Sequence, residues 1–251
     1  MRPAVDKAAR RLHDLFHRAS LVLLGDDGQP VAPQRMPSGI AALDDVLGGG
    51  LLRGRVIELS GPPAGGKTGL ALRIIAGSQR AGGTAAFIDM EGSLDPERAA
   101  RLGVDLHRLA AARPQVGEEA LQIVDALLRA KAADVVVVDS VAALVPRAEL
   151  LAPLGEAPAG LHARLLSQAL RRIVASAAGS GAVVIFLNQQ RTTFDEDGKA
   201  STTTTGGHAL HFYAATRLEV KRRADGVMTV RVQKDRGGAE GRVVEVEASP
   251  W

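Results

Sequence analysis

Four consecutive valines set between aspartates, Asp134-Val-Val-Val-Val-Asp139, narrow the folds open to this chain more than any other segment. A strand with one wet face alternates apolar and polar residues. An unbroken β-branched run instead predicts a strand covered on both faces, as in a parallel sheet flanked by helices. Val183 to Leu187 is a second buried run, Val56 to Leu59 a shorter one, and Ala85 to Asp89 a further strand. Helical spacing of apolar residues predicts helices over Lys67 to Arg80 and Glu118 to Ala130, and a third over Leu161 to Ala178. Asp95 to Leu102 opens Asp-Pro-Glu, an N-cap followed by a first-turn proline. Strands alternate with helices from residue 55 onward, so the expected class is α/β with a mostly parallel sheet. Ala214 to Val220, Val227 to Val232 and Val243 to Glu247 alternate apolar with polar and predict an antiparallel C-terminal meander.

The N-terminal residues differ in character. Val5 to Ala19 reads as a basic amphipathic helix with Leu12, Leu15 and Phe16 as its stripe, and Leu21 to Leu24 as a lone strand. A helix and an orphan strand cannot bury themselves, so they are expected to pack on their own core or on a neighbouring copy. Gly28 to Gln34 is the linker, which divides the chain into a docking arm, residues 1–34, and a core, residues 35–251.

With no cysteine among 251 residues, a disulfide framework, a thiol nucleophile and a cysteine-bound metal are excluded. No apolar run is long enough for a secretory signal or a membrane span, so a cytoplasmic protein with no membrane partner is expected. The formal charge is only +3, and its distribution says more than its sum. Arg217 to Arg242 is basic on balance, and Leu161 to Arg172 holds three arginines and no acid. Both stretches could face phosphates.

Gly61-Pro62-Pro63-Ala64-Gly65-Gly66-Lys67-Thr68 fits G-x-x-x-x-G-K-[ST] and stands between a predicted strand and a predicted helix. Such a loop closes backbone N–H groups around a phosphate chain at the positive end of a helix. Lys67 then supplies a point charge to the β and γ oxygens, and the Thr68 hydroxyl ligates Mg²⁺. Asp139 ends a buried strand where a carboxylate is needed to hold Mg²⁺. Glu91 lies just past the end of another and suits a general base for water, and Gln189 ends a third and could sense the γ-phosphate. ATP with Mg²⁺ is the expected cofactor. His208 and His211 lack partners at metal spacing and read as loop or interface residues.

Met36-Pro-Ser-Gly-Ile-Ala-Ala-Leu-Asp-Asp-Val-Leu-Gly48, the phosphate loop, Phe87-Ile-Asp-Met-Glu-Gly-Ser-Leu-Asp-Pro96, Val138-Asp-Ser-Val-Ala-Ala-Leu144, Phe186-Leu-Asn-Gln189 and Thr203-Thr-Thr-Gly-Gly-His-Ala-Leu-His-Phe-Tyr213 follow one another in an order and spacing that resemble the bacterial RecA recombinase family. The resemblance covers nearly the whole chain. It implies a RecA-like P-loop ATPase core with an N-terminal oligomerisation arm. It makes Glu91 the catalytic glutamate, Asp139 the Walker B acid and Gln189 the switch between γ-phosphate and DNA. Asp95 matches a residue that contacts adenine, and Arg98 one that stacks on it. Lys234 and Arg236 match a lysine pair that reaches the ATP of the adjacent subunit. Arg164, Ser167 and Arg171 on a helix, with Arg191, Thr205, Gly206 and Gly207 in a second loop, match positions that contact single-stranded DNA. The implied activity is a DNA-dependent ATPase in DNA repair and recombination, assembled as a homo-oligomer or filament.

The chain also departs from that pattern. Asp195-Glu-Asp197 stands where the family carries apolar residues that wedge between bases, and Arg98 replaces a tyrosine. Pro153 and Pro158 enter the first loop, and the family's C-terminal domain is not expected within these residues. Arg98 aside, the departures spare the nucleotide site. They leave open a second expectation, an ImuA-type paralogue that docks on RecA or on translesion polymerase components in the SOS response without exchanging strands.

Overall fold

The computed structural model describes residues 7, 8, 10, 11, 14, 33–153, 156, 158–194 and 200–247. Contacts divide the chain into two units, residues 1–34 and 35–251. In the first, residues 7, 8, 10, 11 and 14 are helical, within the span expected to be a helix. The lone strand expected at Leu21 to Leu24 lies outside the described residues.

The second unit opens with β1 (Arg35–Met36), α1 (Ala41–Val46) and β2 (Leu51–Leu52), then β3 (Val56–Gly61), α2 (Lys67–Arg80) and β4 (Ala85–Asp89). Next come α3 (Pro96–Arg101), β5 (Leu109–Ala112), α4 (Gly117–Arg129), β6 (Val135–Asp139) and α5 (Arg147–Leu151). α6 (Leu161–Ser180), β7 (Val183–Phe194), β8 (Ala200–Thr204), α7 (Ala209–Tyr213), β9 (Thr216–Arg222), β10 (Met228–Asp235) and β11 (Val243–Val246) complete it. The main sheet runs β11-β10-β9-β3-β7-β6-β4-β5, with β8 paired to β7. β9, β3, β7, β6, β4 and β5 are parallel to one another, while β10 and β11 at one end, and β8 beside β7, pair antiparallel. This is the α/β class expected from the sequence, with the C-terminal meander joined to the same sheet.

The four valines explain why a single sheet carries two cores. Val135 and Val137 face a core built with Leu70, Ile74 and Ile75 of α2, while Val136 and Val138 face Leu121 and Val124 of α4 and Leu166 and Leu170 of α6. Alternate residues of a strand point to opposite faces, so helices on both sides require apolar residues at every position. Each fully buried valine contributes about 1.5–3 kcal/mol of transfer free energy.

Register then sets the site. Gly61 pairs with Gln189 across β3 and β7, and Asp89 with Asp139 across β4 and β6. The carboxyl ends of β3, β4 and β6 therefore stand beside Gln189, where the parallel part of β7 closes, and the crevice beyond such ends is where parallel sheets bind ligands. Among the described residues no helix is long and apolar enough to cross a membrane.

The observed elements differ from the expected ones chiefly around β7. The apolar run ends at Leu187, but the strand continues to Phe194 because Gln190 to Phe194 pair antiparallel with Ala200 to Thr204. Three consecutive threonines, Thr202 to Thr204, thus lie in a strand, as β-branched residues favour.

Candidate functional site

The phosphate loop begins where β3 ends. A Cβ on Gly61 would stand 2.1 Å from the Val220 carbonyl oxygen of β9, so only glycine lets the two strands close here. Gly66 adopts φ 96° as the residue before α2, and a Cβ there would meet Met228 Sδ at 2.4 Å. Lys67 curls back over this loop, its Nζ donating to Pro62 O at 2.8 Å and Gly61 O at 3.2 Å. Burial lowers the Lys67 pKa, with Asp139 and Glu91 pulling it the other way. A half-buried ammonium with two carbonyls for company at a helix N-terminus is a strong anion site.

Across the crevice, Thr68 Oγ1 donates to Asp139 Oδ2 at 2.8 Å. Asp139 is buried, and its pKa is pushed up to about 6, by burial first and then by the neighbouring Glu91 and Asp89 carboxylates. The Thr68 hydrogen bond and Lys67 offset only part of that rise. A hydroxyl beside a destabilised carboxylate is the oxygen donor set that a hard divalent cation favours. The residues present therefore fit a triphosphate with Mg²⁺.

Glu91 lies on the loop after β4 with its side chain open to solvent. Its Oε1 accepts hydrogen bonds from Ser140 Oγ and, at 3.4 Å, from Gln189 Nε2. Asp89, at the end of the same strand, is turned away into structure. It accepts from the Ser93 and Leu94 amides at 2.9 and 3.1 Å and pairs with Arg113 at 3.2 Å. The register that levels the strand ends thus gathers Lys67, Thr68, Glu91, Asp139 and Gln189 into one constellation. Ser140 joins them without having been singled out from sequence; its place directly after Asp139 was the available signal.

The other expected residues fall at varying distance from this centre. Asp95 is the N-cap of α3, accepting from the Glu97 and Arg98 amides at 2.9 and 3.2 Å. The Arg98 guanidinium lies over the first turn of α2, where a Cβ on Gly69 would come within 3.4 Å of its Nη2. Lys234 is held elsewhere, its Nζ donating to His211 O at 2.7 Å and Phe212 O at 3.4 Å, and Arg236 is exposed just past the end of β10. His208 lies in the turn that leads into α7, as its N-cap residue, and His211 lies within that short helix.

On α6, Arg164 and Arg171 are exposed and Ser167 is half-buried. Gly206 packs on the same helix, since a Cβ there would stand 2.6 Å from Leu166 Cδ2; Thr205 and Gly207 flank it. Arg191 pairs with Thr203 through its backbone in β7 and β8, and its side chain lies outside the described residues. The acidic Asp195-Glu-Asp197 segment is outside them too. A sequence reading missed Glu58, which is fully buried on β3 and bonded to Asn188 and Arg217. One acid within an apolar strand was its signal.

Comparison with known proteins follows the same lines. The family described as RecA N-terminal domain matches residues 3–248. The chain is 50% identical over 220 residues to Protein RecA of Frankia alni, covering 87% of this chain and 63% of that protein. It is 47% identical over 253 residues to Protein RecA of Acidothermus cellulolyticus, covering 99% of this chain and 72% of that one. The chain thus spans less than two thirds of the Frankia protein. Among solved structures, the RadB recombinase superposes with a TM-score of 0.67 at 26% identity, covering 85% of this chain and 96% of that one.

Proposed function

Because the chain belongs to the RecA family, we propose that it binds Mg²⁺-ATP at the Gly61 to Thr68 loop, engages single-stranded DNA and hydrolyses ATP in DNA repair and recombination. The observation that carries this reading is the meeting of Lys67, Thr68, Asp139, Glu91 and Gln189 where β3, β4 and β6 end beside Gln189 of β7. When bound, the nucleotide and its cation supply the electrophilic phosphorus and the leaving oxygen. The chain supplies the rest. Backbone amides of the loop and the Lys67 ammonium bind the phosphate oxygens. Thr68 and Asp139 hold the cation through their oxygens. Glu91 orients a water and takes its proton, and Gln189, already touching Glu91, reports on that site to β7. Asp95 and Arg98 take the base, with the guanidinium able to stack on it.

DNA lies along α6, the end of β7 and the turn after β8, held through Arg164, Ser167, Arg171, Arg191 and Thr205 to Gly207. The exposed arginines of α6 and the packing of Gly206 on that helix support this placement. Residues 1–34 act as the arm that docks on the next protomer, and Lys234 with Arg236 reaches that protomer's nucleotide. β5 sits at the end of the sheet order and offers an edge for such an arm.

The test is ATP turnover with and without single-stranded DNA, read beside particle size. DNA-stimulated turnover with growth into nucleotide-dependent assemblies is expected. Absence of both overturns the reading and leaves docking on RecA or a polymerase complex.

A further inference from the structure

Glu58 lies at the middle of β3 with its side chain wholly excluded from solvent, yet neither carboxylate oxygen is idle. Oε1 accepts from Asn188 Nδ2 at 2.8 Å, and Oε2 from Arg217 Nε at 2.5 Å. A buried carboxylate persists only where charge and hydrogen bonds compensate its lost hydration, and here both do. The two partners lead in different directions. Asn188 Nδ2 also donates to Thr205 O at 2.9 Å, at the root of the loop after β8. Arg217 Nη1 lies 2.8 Å from His211 Nδ1 on α7, whose backbone carbonyl holds Lys234 Nζ.

We propose that Glu58 is a positioning residue that ties the root of the second DNA loop to the cationic end of β10, so that occupancy at Lys234 biases the loop. The proposal rests on the functional reading above, in which Lys234 meets the nucleotide of the adjacent protomer. It adds a route distinct from that of Gln189, which faces the nucleotide of its own chain. Neighbouring residues of β7 serve the two routes because successive side chains of a strand point to opposite faces.

Three features favour a switching rather than a merely bracing role. The Asn188 amide can turn only one way, since the reverse would set Oδ1 against the Glu58 carboxylate and the Thr205 carbonyl. Among the described residues, Oδ1 is then buried without a donor and the Thr205 hydroxyl is buried without a partner of either kind. Unmatched polar atoms raise the energy of the observed arrangement, which lowers the cost of a shift of the loop root that pairs them. Finally, a cleft of about 540 Å³, open to solvent, lies beside the elements that Glu58 joins, lined by Gln190, Thr203, Thr204, His211, Arg217 and Gln233. The loop root therefore has room to move.

Glu58→Gln tests this without changing volume. A glutamine presents one acceptor and one donor, so whichever way it turns, one of the two contacts becomes donor against donor. The readout is affinity for a fluorescein-labelled single-stranded oligonucleotide, measured with a non-hydrolysable ATP analogue and with ADP. The unsubstituted protein is expected to bind more tightly with the analogue. In Glu58→Gln the ratio should shrink about fivefold or more, the scale of an allosteric coupling. Affinity for the nucleotide and turnover without DNA should remain unchanged. Arg217→Lys, which keeps the charge but cannot reach Glu58 and His211 together, should give the same loss, and it stands in if the first variant does not fold. Folded variants that keep the full ratio overturn the proposal. No difference between the two nucleotides in the unsubstituted protein overturns the functional reading itself, and the coupling with it.

Discussion

Burial and the neighbouring Glu91 and Asp89 carboxylates make the charged form of Asp139 costly in the folded protein. Its folded pKa of about 6 stands above the ~3.9 of an unfolded chain, so the folded state holds the proton more tightly. Its contribution to stability is thus fully present below about pH 4 and is lost as pH rises through 6. A rise of that size corresponds to ~3 kcal/mol, and relaxation around the charge leaves roughly 1–2 kcal/mol. Asp139→Asn should therefore unfold at higher urea than the unsubstituted protein at pH 7 without Mg²⁺ or nucleotide, with the gap closing near pH 4. An equal or lower midpoint at pH 7 would contradict the assignment. The same variant should lose Mg²⁺-dependent turnover, because the strain is stored where the cation would relieve it. Lys67→Ala should abolish ATP hydrolysis, and undiminished turnover would remove the phosphate loop from the mechanism.

Between residue and molecule, packing decides where intrinsic preference does not. Gly77 lies inside α2, where alanine would ordinarily gain about 1 kcal/mol of helix propensity. A Cβ there would stand 2.3 Å from Ser38 O and 2.8 Å from Gly39 N, both backbone atoms that cannot rotate aside. Overpacking of this kind costs about 1–3 kcal/mol and displaces the loop before α1. Gly77→Ala is expected to lower stability in urea by a net of up to ~2 kcal/mol, and any gain would show the contact to be softer than it stands. What the sequence disclosed follows the same division. The valine run and the helical spacing of α2 and α4 were legible because burial demands them position by position. β5 was not, since Leu-Ala-Ala-Ala has little strand preference and becomes a strand only by pairing with β4. In the site, Lys67, Thr68 and Asp139 could be read from local motifs. Ser140 and Glu58 owe their places to partners 49 and 130 or more residues away, which spacing does not encode.

Over the whole molecule the net charge of +3 is too small to draw DNA by itself, so binding depends on where the arginines lie. Each phosphate neutralised on a single strand adds about 0.7 to the slope of log affinity against log salt. Replacing both Arg164 and Arg171 by alanine should flatten that slope by ~1.4 while leaving ATP affinity in place. An unaltered slope would take α6 out of the DNA path. The sheet order bears on the birth of the protein as well as on its activity. β3, which carries the phosphate loop, pairs with β7 on one side and β9 on the other, and Glu58 on it bonds partners 130 and 159 residues further along. Such distant pairing is slow to form, because loop closure must be met before the contacts reward it. A chain leaving the ribosome therefore carries its phosphate loop on a strand with both edges bare until β7 has emerged, and with one edge bare until β9 follows. Bare edges are templates for mispairing, so this segment is the one most exposed to aggregation while its partners are still unmade.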